Sequence, residues 1–418
     1  MLESLTKHIY HSGFFTLLLV LLCNPLTAQE IDEGTQAFAQ ELAHKYIITD
    51  GHVDLPYRLR IQNFRPTKEY LGIPIETEDG DFDYVRSRAG GLDAPFMSIY
   101  IPASYQETGG AKELADTLID MVVAITEAHP DKFVLANNPE DVKAAFAAGK
   151  IALPMGMENG APIGDDLTNV AYFRKRGIDY ITLTHSKDNL ICDSSYDTTG
   201  TWNGLSDFGR EVVVEMNRVG IMVDISHVSD STFWQVMELS EAPCIASHSS
   251  ARKFTPGFER NMNDDMIQAL AQRGGVIQIN FGSTFLDGEV AAQRDSLRTA
   301  LNALLEEKGL SFRDEEAQPI VERFRKENPA LFADVRKVAD HIDHVVELAG
   351  VDHVAFGSDF DGVGDSLPTG LKDVSMFPNL LAELLYRGYQ EDEIAKMCYG
   401  NVFRVWRQVA LVADAMQN

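Results

Sequence analysis

Eight short runs of apolar, often β-branched residues recur along the chain, at about 47–53, 96–102, 151–157, 180–184, 221–226, 243–247, 275–281 and 354–358. Most are almost unbroken, as in IALPMGM and GVIQINF, the pattern of parallel strands buried on both faces. Helical stretches separate them, among them 111–127, 207–219, 263–273 and 338–348. Alternation of this kind predicts an α/β fold with a parallel sheet, and eight units predict a closed (β/α)8 TIM barrel. An open doubly wound sheet would more often place a glycine-rich phosphate loop after its first strand, where this chain has DGHVDLP. The length of 418 residues suits one barrel with insertions. The longest connection, roughly 282–350, carries helical segments at 291–308 and 319–327, so it reads as an elaborated crossover and a candidate lid.

The polar signatures fall where the strands end. They are His52 and Asp54 in DGHVD, Glu158 in MGMEN, His227 in DISHVS, His248 in ASHSS and Asp359 in GSDFDG. Barrels of this type build their active sites at the C-terminal ends of the strands. Three histidines and three carboxylates supply enough ligands for two divalent ions sharing one carboxylate. In a strand, His52 and Asp54 point the same way and can reach one ion. Glu158 closes an uncharged strand, and a carboxylate there needs cations or donors, a need that bridging two metals meets. Imidazoles after the fifth and sixth strands suit zinc when their second nitrogen is held in place. Asp224 is a candidate for such support and not a ligand.

His185 in LTHSKDN is either a further ligand or a hydrogen-bond donor to a developing oxyanion. The planar fork of Arg260 in ERNMND suits a substrate carboxylate. Asp359 is placed to act as general base on a metal-activated water, whereas Asp361, before Gly362, reads as a turn residue. The DHIDH run at 340–344 resembles a metal motif, but it belongs to a helix preceding the eighth strand, so His341 and His344 read as structural or solvent-facing.

A formal charge of −27 argues against nucleic acid or an anionic membrane as partner. It would also repel a carboxylate substrate unless metals and a local arginine reverse the sign in the cleft. Residues 1–28 read as a cleaved export signal, with Lys7, an apolar run from Phe14 to Leu22 and a small residue at Ala28. Cleavage near Ala28 is preferred to lipidation at Cys23, because Leu21 and Leu22 precede that cysteine. The expected product is one domain, 29–418, in a bacterial periplasm in preference to an extracellular location, without stable membrane insertion and without an apolar C-terminal anchor tail. Three cysteines then remain, Cys192, Cys244 and Cys398, enough for at most one bridge within the chain.

Taken together, these residues resemble the membrane dipeptidase (renal dipeptidase) family of amidohydrolase-like metal-dependent barrels. The likeness extends from DGHVDLP to NVFRV and includes VADHIDHVVELAG, FGSDFDGV and DVSMFPNLLAELL. It implies hydrolysis of free dipeptides with two zinc ions, His52 and Asp54 on one, His227 and His248 on the other, and Glu158 between them. It further implies that His185 polarises the scissile carbonyl, Arg260 holds the terminal carboxylate and Asp359 transfers the proton; a homodimer is a family-level expectation. The chain departs from the family at Gly282, where animal members can carry a tyrosine, in the longer loop after it, and at Lys187, where they have a cysteine. The alternatives are a hydrolase of N-acyl amino acids, β-lactams or lactones on the same site, or a non-catalytic exported metal- or peptide-binding protein.

Overall fold

The computed structural model describes residues 31–61, 75–312 and 314–418. The export-signal segment lies outside the described residues. Ten strands occur among them: β1 (Ile48–Val53), β2 (Leu92–Tyr100), β3 (Phe133–Leu135), β4 (Ile151–Leu153), β5 (Met155–Glu158), β6 (Ile178–Thr182), β7 (Met222–Asp224), β8 (Ile245–Ala246), β9 (Val276–Ile279) and β10 (Val354–Phe356). Eight of them form one parallel sheet in the order β1-β2-β5-β6-β7-β8-β9-β10, with helices between successive strands. This is the (β/α)8 barrel that the apolar alternation predicts.

The ring closes at its C-terminal rim. His52 O accepts from Asp359 N at 3.1 Å, and Asp54 N donates to Phe360 O at 2.9 Å. The side chain of Asp50 reinforces the same seam by accepting from Ser358 N at 2.8 Å. Closure and the positioning of candidate ligands therefore use the same few residues.

The expected strand at 151–157 is divided. Pro154, with no N–H to offer a ladder, separates β4, which pairs with β3 in a small second sheet, from β5, which enters the barrel. Three-residue β3 is too short to show a period, which is why the apolar pattern misses it.

Side chains fill the barrel interior. Tyr180 is fully buried and lies against Gly156, where an added Cβ would come 1.9 Å from its ring. Glycine here is a packing requirement: it makes room for a phenol in the middle of the barrel. Beneath, Phe96, Met222, Ile245 and Val276 join Phe403, Trp406 and Val409 of the C-terminal helix Asn401–Gln417 in one apolar cluster. The crossover after β9 contains helices Gly288–Glu307 and Gln318–Glu327, which share a small core of their own built on Leu301, Leu305, Ala317 and Val321.

Cys192, Cys244 and Cys398 are buried free thiols. His341 and His344 occupy the helix Val335–Ala349 and are structural and buried: His341 accepts from Ala251 N at 2.9 Å and contacts Leu286 O at 3.0 Å, while His344 pairs with Asp264 at 2.8 Å. Among the described residues, no helix is long and apolar enough to cross a membrane.

Candidate metal centre

Each barrel strand that carries a candidate ligand stops at or close to it. β1 ends between His52 and Asp54, β5 ends on Glu158, and β7, β8 and β10 end shortly before His227, His248 and Asp359. Several exits use left-handed backbone, with φ of 69° at His227, 64° at Asp359, 65° at Asp361 and 76° at Asn159. Such a conformation costs a residue with a Cβ about 1–2 kcal/mol, and its concentration at one rim marks a place where side-chain direction outweighs backbone comfort.

Glu158 is the hub. Its Oε2 lies 3.4 Å from His52 Nε2, while its Oε1 lies 3.0 Å from His227 Nε2, 3.4 Å from His248 Nε2 and 3.7 Å from His185 Nε2. Asp54 Oδ2 approaches His52 Nε2 at 3.5 Å. Three groups of ligand atoms, each mutually within 4.8 Å, result: His52 with Glu158 and His248; Glu158 with His185 and His227; and His52 with Asp54 and Asp359.

Two histidines are oriented by their outer nitrogens. Tyr180 donates its hydroxyl proton to Gly51 O at 3.0 Å, so it can accept from His52 Nδ1 at 2.8 Å. Ser247 Oγ donates to Asp224 Oδ2 at 2.6 Å, so it can accept from His248 Nδ1 at 2.7 Å. Both arrangements leave the Nε2 lone pair facing Glu158, the state in which imidazole ligates a metal. Asp224 also accepts from Ser226 N and Ser247 N and does not enter the cluster.

The electrostatics call for cations. Asp54, Glu158 and Asp359 are buried together. Burial, with neighbouring carboxylates adding to it, pushes Glu158 up to about 7 and Asp359 up to about 6. Burial and then the Arg260 charge hold His185 down at about 4 and His227 well below its ordinary value. Burial, then His52 and Arg260, do the same to His248. His185, His227 and His248 are thus neutral donors of lone pairs. Burial works against charge on His52 too, but Tyr180, Glu158 and Asp54 outweigh it and raise His52 well above its ordinary value, a proton that a cation at Nε2 would replace. His52 Nε2 and Asp54 Oδ1 are buried without a hydrogen-bond partner, and His227 Nε2 and His248 Nε2 stand 2.9 Å apart. Orphaned ligand atoms beside clustered carboxylates are what divalent cations satisfy, so the donor set fits them.

Seven of the eight candidate site residues therefore share one cluster. The eighth, Arg260, lies against it rather than in it. Its Nη1 donates to Ser249 Oγ at 2.7 Å and its Nη2 to His248 O at 2.8 Å, its Nε is buried without a partner, and its guanidinium lies over Phe285 at 5.5 Å. Asp361 occupies the turn that its position before Gly362 suggests, with its side chain on Arg58 Nε at 3.0 Å and accepting from Asp81 N at 2.6 Å. Lys187 is exposed, 3.6 Å from Asp197.

A cavity of about 700 Å³ opens onto Asp54, Glu158, His185, His227 and Asp359. Tyr57, Tyr100, Tyr196, Phe285 and Arg294 complete much of its wall. None of these five stands out in the sequence, because an aromatic near a strand end reads as core and an arginine in a helical insertion reads as surface. Asn280, just past the end of β9, donates to Asp359 Oδ2 at 2.8 Å and is likewise silent in the sequence.

Residues 36–418 match the family model described as membrane dipeptidase (peptidase family M19). The probable dipeptidase PvdM from Pseudomonas aeruginosa is similar in structure, with a TM-score of 0.75 and 26% identity over 91% of this chain and 99% of that one. The M19 metallopeptidase named dipeptidase AC aligns with a TM-score of 0.71 and 25% identity over 87% and 98% of the two chains. A metallopeptidase from Rhodobacter sphaeroides, liganded with a phosphinate mimic of the dipeptide L-Ala-D-Ala, shares the fold with a TM-score of 0.71 and 24% identity over 87% and 99%. With a barrel, two candidate metal clusters meeting at one glutamate, and a family match over nearly the whole chain, this protein belongs to the membrane dipeptidase family of metal-dependent hydrolases, peptidase family M19.

Proposed function

We propose that the chain is an exported dipeptidase that holds two zinc ions and hydrolyses the peptide bond of free dipeptides. His52 and Asp54 would bind one ion, His227 and His248 the other, and Glu158 both. The observation that carries this reading is the division of Glu158, whose two carboxylate oxygens face different histidines. When bound, the ions would supply Lewis acidity and lower the pKa of a water toward about 7.

The chain's own groups do the rest. Asp359, held by Asn280, takes a proton from the attacking water and returns it to the leaving amine. His185 is neutral, because burial pushes its pKa down to about 4, and it donates a hydrogen bond to the carbonyl oxygen as charge develops there, a contribution of about 10²- to 10³-fold in rate. Arg260 keeps unspent donors, its Nε among them, for the substrate's terminal carboxylate, which limits the substrate to two residues. The signal-like segment at 1–28 supports a periplasmic mature chain starting near Gln29.

The test is the initial rate on LL, LD and DL dipeptides alongside N-acetylated counterparts. We expect cleavage of free dipeptides and little of the blocked ones. Cleavage of the blocked compounds alone would keep the metal centre and reassign the substrate to acylated amino acids.

A further inference from the structure

The family reading gives Arg260 to the substrate's terminal carboxylate, and it leaves Arg294, which lines the cavity itself, without a task. Arg294 sits on the helix Gly288–Glu307 of the long crossover between β9 and β10, and among the described residues it is the sole Lys or Arg in the cavity wall. Its Nε donates to Leu331 O at 3.2 Å, and its guanidinium lies over the Phe332 ring at 4.6 Å. Its Nη2 is buried with no hydrogen-bond partner, and it forms no ion pair among the described residues. Asp365, which is exposed, is the carboxylate whose charge it feels.

The platform beneath it is fixed. Gln293, the preceding residue, donates to Pro329 O at 3.1 Å and accepts from Leu331 N at 3.1 Å, stitching the helix to the segment that carries Phe332. Lys372 Nζ lies 3.6 Å from the centre of the same ring. Two cations thus share one aromatic ring in a chain with a net charge of −27. Burial lowers the proton affinity of both groups below their ordinary values. A partly desolvated guanidinium with a free donor edge is a receptor for a carboxylate.

We propose that Arg294 is a specificity residue that receives the side-chain carboxylate of an acidic dipeptide, so that the preferred substrates contain one aspartate or glutamate besides their terminal carboxylate. This inference rests on the dipeptidase reading. The cavity already needs one cation for the terminal carboxylate, and an acidic side chain adds a second charge that an overall anionic protein would otherwise repel. Arg294, which forms no ion pair among the described residues, cancels that charge at the wall.

The experiment compares kcat/KM for dipeptides that differ only in Glu against Gln, or Asp against Asn, at each of the two positions. Wild-type enzyme should favour the acidic member at one position by about tenfold or more, the worth of a charge-assisted hydrogen bond to a buried donor. Arg294→Gln should bring that ratio close to one, Arg294→Lys should keep part of it, and Arg294→Glu should shift preference toward lysine side chains. Calorimetric affinities for non-hydrolysable phosphinate analogues bearing the same side chains should follow the same order. If neutral dipeptides are cleaved but the ratio is flat, or is unchanged by Arg294→Gln, the inference is overturned while the dipeptidase reading stands. A uniform loss on every dipeptide would overturn it too, by making Arg294 the holder of the terminal carboxylate. If no free dipeptide is cleaved by zinc-loaded wild type, both readings fall together.

Discussion

Tyr180 and Asp359 show how much of this centre is decided by single groups around the ligands. Tyr180 touches no candidate metal position, yet its hydroxyl, committed to Gly51 O, is what selects the His52 tautomer with a free Nε2. Tyr180→Phe should therefore lower metal affinity about 10- to 100-fold, the usual effect of removing the group that orients a ligating histidine. A chelator-competition titration on the purified variant would read it, and an affinity equal to wild type would show that His52 is oriented without the phenol. Asp359→Asn makes a different demand. Asparagine tolerates the left-handed φ of 64° at this position, so the fold should be kept while proton transfer is lost. We expect kcat to fall by about 10²-fold or more with two metal ions per chain still present by elemental analysis. Loss of one ion would instead make Asp359 a ligand, in keeping with its place in the group with His52 and Asp54.

The strands and the crossover helices differ in how openly the sequence announces them. A barrel strand buried on both faces has no polar position, so 151–157 and 275–281 are legible as apolar runs. The same lack of contrast hides where such a run is cut, and only the missing N–H of Pro154 distinguishes β4 from β5. Ligands were legible because a His or Asp at the end of an apolar strand has few structural uses. Tyr180, Asn280 and Arg294 were not, since their roles depend on what packs against them across the barrel or from a distant insertion. The crossover helices make a separate statement about stability. Their core of Leu301, Leu305, Ala317 and Val321 is not shared with the barrel. Leu305→Ala should cost about 2–5 kcal/mol within that unit. The loss should show as faster amide exchange in 288–327 with barrel amides unaffected, and loosening of the barrel to the same extent would contradict a separate core.

For the molecule as a whole, the metal site and the barrel closure are one construction. The seam between β1 and the segment after β10 is bonded through the backbone of His52, Asp54, Asp359 and Phe360, so residues of the candidate metal cluster also hold the ring shut. The chain carries a net charge of −27, and three buried carboxylates meet at the mouth; cations bound there would neutralise the place otherwise least hospitable to an anionic substrate. If Glu158 joins two ions into one hydrolytic centre, activity should follow their occupancy. The most direct test is to strip the purified protein with a chelator, add zinc back in measured steps and follow dipeptide hydrolysis against bound zinc per chain. The stripped protein should show no turnover, and activity should rise with added zinc and saturate at two ions per chain. Full activity after stripping, or saturation at a single ion, would contradict a two-ion centre.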